Sequence, residues 1–137
     1  LLEKYAVKIG GGHNHRYNLS DEILIKDNHI SAEESLKTLV KKAIRTKKLV
    51  TVEIENIYQL KEINGLKFKR ILFDNMNMQQ LKKCLKLCKN KYQTEYSGNA
   101  TLKNIKTISK TGVNRISVGE ITHSTKSFDA SLKFKIS

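Results

Sequence analysis

Proline is absent from this 137-residue chain, and cysteine is almost absent. The two cysteines, Cys84 and Cys88, stand four apart inside an apolar helical pattern. Two thiols without a C-x-x-C spacing do not make a zinc site, so reduced thiols buried on one helix face of a cytoplasmic protein are expected. No apolar run approaches the roughly 18 residues of a membrane span, and no signal-peptide pattern is present, which speaks against membrane insertion. An initiator methionine is also missing. The chain opens at Leu1 within a helical pattern, as though the front of a longer protein preceded it. Acidic side chains are scarce beside basic ones, 13 against 26, giving a net charge of +13. Such a surface suits nucleic acid or phosphate ligands. Lysine as the default surface residue explains most positions more simply, given the frequent Asn and Ile and the lack of Pro. In the basic stretch from Lys82 to Lys91 the lysines alternate with core residues and no aromatic side chain interleaves, so a solvated face fits better than a nucleic-acid patch.

What is present is concentrated in Gly10 to Ile30, which holds three consecutive glycines, three of the four histidines, His15-Arg16 and Lys26-Asp27-Asn28-His29. Between the polar clusters lies Ile23-Leu24-Ile25, a short buried strand by its apolar run. Arg pairs a carboxylate or phosphate bidentately and Lys acts as a point charge, so His15, Arg16 and Lys26 form a candidate anion site. His13-x-His15 has the look of a metal pair, but no third ligand accompanies it.

The chain is a series of strand–helix units. A helix over Leu1 to Ile9 ends at the three glycines. The strand at Ile23 to Ile25 leads to a helix opened by Ser31, with Glu34 spaced for a capping box and a stripe of Leu36, Leu39, Val40, Ala43 and Ile44. Leu49 to Glu55 alternates, with Val50, Val52 and Ile54 on one side and Thr51, Glu53 and Glu55 on the other. A short helix (Ile57, Leu60, Ile63) breaks at Asn64-Gly65. The strand Ile71 to Phe73 precedes a helix from Met78 to about Lys89. Tyr92 to Tyr96 is the next strand, followed by a helix burying Leu102, Ile105 and Ile108 that ends at Gly112. Arg115 to Val118 and Ser131 to Ile136 read as the last strands. Alternation of this kind implies parallel strands with helical crossovers. Polar residues recur at the strands' C-terminal ends, at Lys26, Glu53, Asp74, Ser97-Gly98 and Gly119, about one unit apart. In parallel α/β folds, and above all in β/α barrels, those ends carry the chemistry. Glu53 alternating with apolar neighbours favours a barrel lumen over a sheet buried on both faces.

Glu53 and Asp74, acids at neighbouring strand ends, suit Mg²⁺ or ribose hydroxyls, although Glu53 also has a structural use as a partner for Lys26. Ser97-Gly98 and Gly119, with His123 shortly after, let backbone N–H groups approach a phosphate.

The segments GGGHNHRYNLSDEILIKDNHI, TVEIEN, ILFDNM, EYSGNATLKNI, TGVNRISVGEITHS and FDASLKF resemble, in this order, the quinolinate phosphoribosyltransferases, the carboxylating nicotinate-nucleotide pyrophosphorylases of NAD biosynthesis. The resemblance implies an open parallel β/α barrel, TIM-like and incomplete here, with residues 1–137 as the C-terminal part of the barrel domain and the N-terminal sandwich domain absent. It implies a cytoplasmic, dimeric glycosyltransferase joining quinolinate to phosphoribosyl pyrophosphate (PRPP) with Mg²⁺, and yielding nicotinate mononucleotide, pyrophosphate and carbon dioxide. Carried over by motif, His15 and Arg16 contact the quinolinate carboxylates and Lys26 lies between quinolinate and the PRPP phosphates. Glu53 and Asp74 face the ribose and the Mg²⁺-pyrophosphate, as catalytic residues with Lys26. Ser97, Gly98, Gly119 and His123 line the phosphate site.

The chain departs from the family in three ways. An Arg-Lys-Thr motif that the family carries upstream is absent, as is the N-terminal domain whose arginine enters the partner's site. Ser97-Gly98-Asn99 replaces Ser-Gly-Gly. Residues 1–137 alone are therefore expected to be weakly active or inactive. The competing expectations are a same-fold enzyme for another acceptor, an inactive fragment, and a basic nucleic-acid-binding module.

Overall fold

A computed structural model describes residues 2–14, 22–26, 35–121 and 131–132. Helix α1 (Leu2–Ile9) comes first, then strand β1 (Glu22–Ile25), helix α2 (Leu36–Arg45), β2 (Leu49–Ile54), α3 (Ile57–Ile63), β3 (Arg70–Asp74), α4 (Met78–Cys88), β4 (Gln93–Ser97), α5 (Ile105–Ser109) and β5 (Arg115–Ile116). A 3-10 turn, Gly119–Ile121, follows β5. The strands pair in sequence order, β1-β2-β3-β4-β5, and every pairing is parallel. This is the arc of an open β/α barrel, with β1 and β5 at its edges among the described residues.

The alternation within each strand decides its two faces. Val50, Val52 and Ile54 of β2, with Ile71 and Phe73 of β3, are fully or almost fully buried under the helices. They meet Leu36 and Val40 of α2, Leu60 and Ile63 of α3, and Leu81, Cys84 and Cys88 of α4 in one continuous core. Burying a side chain of this size contributes about 1.5–3 kcal/mol, so this layer is the main source of stability. On the opposite face stand Thr51, Arg70 and Glu95, polar yet buried, which marks that face as the barrel's interior.

Local signals set the helix ends. The N–H of Gly12 bonds Val7 O and that of Gly11 bonds Lys8 O, with Gly11 at φ +79°, so the glycine run closes α1 with a complete Schellman motif. The Asn56 side chain caps α3, and Asn77 with Gln80 makes a capping box on α4. Ser35 caps α2, accepting from Thr38 N. The expected cap at Ser31 and its partner Glu34 lie outside the described residues, and the described helix begins at Leu36.

Two expectations about the C-terminal third are corrected. Leu102 is 88% exposed rather than core, because α5 starts only at Ile105 and Leu102 falls in the preceding turn. Ser131 and Leu132 are irregular and exposed rather than in a strand, while 133–137 lies outside the described residues. The strand read from Arg115 to Val118 is paired only over Arg115–Ile116.

Candidate functional site

The site is assembled at the C-terminal ends of the strands. Parallel register places Ile25 opposite Val52, so Lys26 and Glu53 come next to each other just beyond. Lys26 Nζ lies 3.9 Å from Glu53 Oε2; the lysine side chain is half exposed and the glutamate is mostly buried. One further strand along, Asp74 stands opposite Ser97. The N–H of Ser117 bonds Tyr96 O at 2.9 Å, which continues the β4–β5 pairing toward Gly119. Lys26, Glu53, Asp74, Ser97-Gly98 and Gly119 thus rim one mouth, as the spacing of polar residues along the chain anticipated. His15, Arg16 and His123 lie outside the described residues.

The Asp74 and Ser97 loops interlock. Asn75 adopts a left-handed φ of +48° and its N–H bonds Ser97 O at 2.9 Å. Its side-chain Nδ2 donates to Asp74 Oδ2 at 2.9 Å. Gly98, at φ +100°, packs so closely that an added Cβ would fall 2.1 Å from Asn75 Oδ1. Glycine here is required by Asn75 as well as by the turn. Asn99 stands at φ +46°, a conformation asparagine tolerates better than most residues, so the departure from Ser-Gly-Gly fits the turn. Neither expected glycine loop leads straight into a long helix. Gly98 is followed by a turn before the five-residue α5, and Gly119 opens a three-residue 3-10 turn. Helix dipoles therefore contribute little at these two points.

Beneath the mouth is a buried ionic cluster that the sequence patterns did not reveal. Arg70 Nη1 lies 3.2 Å from Glu95 Oε2 and 3.7 Å from Glu22 Oε1. Thr51 Oγ1 donates to Glu22, and Ser117 Oγ donates to Glu95. Members of the cluster sit a few residues before the site positions on the same strands: Glu22 before Lys26, Arg70 before Asp74, Glu95 before Ser97. The available signal was the charge at the border of each apolar run, Glu22 before Ile23 and Arg70 before Ile71. Asn75 was equally missed; its only cue is its place directly after Asp74.

A cavity lined by His13, Asn14, Glu95, Arg115, Ser117 and Gly119 lies between the turn after α1 and β5, adjoining the mouth. Another groove, lined by Lys82, Lys86, Tyr92, Thr94, Lys110 and Asn114, opens near the starts of β4 and β5 and contains none of the site residues. The lysines of α4 are exposed. Cys84 and Cys88 are buried and free. Burial pushes both thiols up, Cys88 to about 11 with a smaller contribution from Cys84. Among the described residues no group of three or more His, Cys, Asp or Glu side chains is gathered for a metal ion. No helix of the described residues is long and apolar enough to cross a membrane.

Comparison with known proteins agrees with this architecture. Residues 1–133 match the family model described as quinolinate phosphoribosyl transferase, C-terminal domain. A Bacillus subtilis (strain 168) protein named as a probable nicotinate-nucleotide pyrophosphorylase (carboxylating) is 43% identical over the whole chain, which covers 48% of that relative. The chloroplastic nicotinate-nucleotide pyrophosphorylase (carboxylating) of Oryza sativa subsp. japonica is 38% identical over 97% of the chain, which covers 42% of it. Among solved structures, NadC from Streptococcus pyogenes superposes with a TM-score of 0.85 at 38% identity, over 96% of this chain and 47% of its own. The nicotinate-nucleotide pyrophosphorylase from Ehrlichia chaffeensis gives 0.82 at 39% identity, over 90% and 46%. The chain spans about half the length of these relatives.

Proposed function

The chain belongs to the quinolinate phosphoribosyl transferase family, as its C-terminal domain, and from that premise we propose that it forms part of an enzyme joining quinolinate to PRPP. The products are nicotinate mononucleotide, pyrophosphate and carbon dioxide. The observation that carries this reading is the Lys26–Glu53 pair at 3.9 Å beside Asp74 and the Ser97-Gly98 loop, all at one mouth.

In this reading His15 and Arg16 hold the quinolinate carboxylates, and Lys26 stands between them and the PRPP phosphates. The ring nitrogen of quinolinate attacks the anomeric carbon of PRPP as the bond to pyrophosphate breaks, and the electron pair leaves with pyrophosphate. The ribose centre becomes cationic and oxocarbenium-like. Glu53 and Asp74 stabilise that charge, and no covalent nucleophile is needed. Cations around the dicarboxylate orient the ring nitrogen. The quaternised nitrogen then accepts electrons as the carboxylate on the adjacent carbon leaves as carbon dioxide, and a proton takes its place. Ser97, Gly98, Gly119 and His123 bind the phosphate end of the substrate.

The residues fit Mg²⁺. Asn75 engages only Oδ2 of Asp74, and two carboxylates from adjacent strands suit an ion held chiefly by substrate phosphates and water. Glu53 and Asp74 would hold it, directly or through water, and it would neutralise charge on the departing pyrophosphate. The proposal includes a homodimer, with a further domain ahead of this one, working in a reducing compartment such as the cytoplasm, as the free Cys84 and Cys88 favour.

Calorimetry of the full-length protein with quinolinate and with PRPP–Mg²⁺ tests the reading. Lys26→Ala should weaken binding of both ligands and Glu53→Ala that of PRPP. Undiminished binding in both variants would sink the site assignment.

A further inference from the structure

We infer that Asn75 is a positioning residue that couples the Asp74 carboxylate to the Ser97-Gly98 loop, so that both halves of the PRPP site are set by one side chain. The inference rests on the functional reading above and extends it to a residue that reading does not use. Three observations converge on Asn75. Its amide Nδ2 donates to Asp74 Oδ2 at 2.9 Å. Its backbone N–H bonds Ser97 O at 2.9 Å. Its Oδ1 lies over Gly98, where a Cβ would sit only 2.1 Å away.

The backbone makes this possible. At φ +48° the chain turns sharply after β3, which folds the asparagine side chain back toward the residue before it. Asparagine enters the left-handed region with less strain than most residues, and it carries both a donor and an acceptor on one short side chain. The donor fixes the orientation of Asp74. The body of the amide rests on Gly98, so the β4 loop cannot approach β3 more closely and the amide cannot rotate freely. A carboxylate facing a cationic ribose must be held in place before the charge develops, because electrostatic stabilisation depends on donors and acceptors already aimed. A loop that binds phosphate by backbone N–H groups is equally sensitive to its position. Asn75 links the two through contacts that touch neither substrate.

Two substitutions separate this role from a backbone role. Asn75→Gly keeps the left-handed turn and removes the amide. Asn75→Asp keeps the size and tolerance of the turn and replaces the donor with a second carboxylate. The measurement is calorimetric affinity of the full-length protein for PRPP–Mg²⁺ and, separately, for quinolinate, with thermal unfolding recorded for each variant. Asn75→Gly should bind PRPP roughly 5- to 10-fold more weakly, the loss of one positioning hydrogen bond, and Asn75→Asp at least as much because it also sets a like charge beside Asp74, while quinolinate affinity stays within about twofold in both. PRPP affinity within about twofold of the parent in both variants overturns the inference and leaves the functional reading standing, provided Glu53→Ala still weakens PRPP. Parallel loss of both ligands with a lowered melting temperature overturns it in favour of a general structural role. Failure of the unsubstituted full-length protein to bind PRPP overturns the functional reading, and this inference with it. If Asn75→Gly unfolds, the near-isosteric Asn75→Asp decides alone, by the same split between the two ligands.

Discussion

Arg70 and Glu95 form a buried ion pair at 3.2 Å across the β3–β4 boundary, with both side chains almost fully removed from solvent. Arg70 also reaches Glu22 of β1 at 3.7 Å, two strands away, so its guanidinium spans the interior face of the sheet. Its Nε is buried without a hydrogen-bond partner among the described residues. Breaking one partner of a buried pair leaves an uncompensated charge, which is costlier than never having had the pair. Arg70→Leu should therefore lower unfolding stability by about 3–5 kcal/mol, read by denaturant titration. A loss near zero would show that the two glutamates find other compensation.

Gly65 and Gly98 offer a controlled comparison. Both have φ near +100°, but a Cβ at Gly65 meets open space whereas one at Gly98 meets Asn75. Gly65→Ala should cost about 1–2 kcal/mol of backbone strain. Gly98→Ala should cost more, and the excess measures the packing of Asn75 on the loop. Equal losses in thermal or urea unfolding would mean that Asn75 moves aside freely.

Lys26 and Glu53 should matter for ligand and little for folding. The lysine side chain is 45% exposed, so solvent screens the pair. Lys26→Ala should change stability by no more than about 1 kcal/mol, yet weaken binding of quinolinate and PRPP in calorimetry. A large stability loss would make the pair structural first.

Cys88 gives a pH prediction. Its thiol is pushed from 9.0 to about 11 in the folded chain by burial. The folded state thus holds its proton where the unfolded state has lost it, so this group's contribution is intact below pH 9 and lost as pH rises toward 11. Cys84 acts in the same direction. Urea midpoints measured from pH 8 to pH 11 should decline, and a Cys88→Ala variant should decline less steeply. At pH 8 a thiol reagent should label neither cysteine until the chain unfolds.

Much of this fold is legible in the sequence. The order of elements followed from periodicity, since an apolar residue every second position marks a strand and a 3.6-residue repeat marks a helix. Val50, Val52 and Ile54 are set on one side of their strand by alternation, and they are buried. The mouth was legible because parallel strands of one hand bring their C-terminal ends to one side, which puts Lys26, Glu53, Asp74, Ser97-Gly98 and Gly119 together. Leu102 misled because its helical spacing from Ile105 continued a pattern that the backbone does not, and it stands exposed in a turn.

The sequence by itself determined the strand–helix alternation, the glycine end of α1, the rim of polar residues and the family. These depend on neighbours within a few positions, or on motifs that survive as strings. Tertiary structure alone decided which charges are buried and which loops touch. Glu22, Arg70 and Glu95 belong to β1, β3 and β4, and only strand register brings them within bonding distance. Asn75 acquires its role only because β4 returns beside β3 and presents a glycine to it. Contacts between residues far apart in the chain are set by strand register and by the curvature of the sheet, and no local pattern records them.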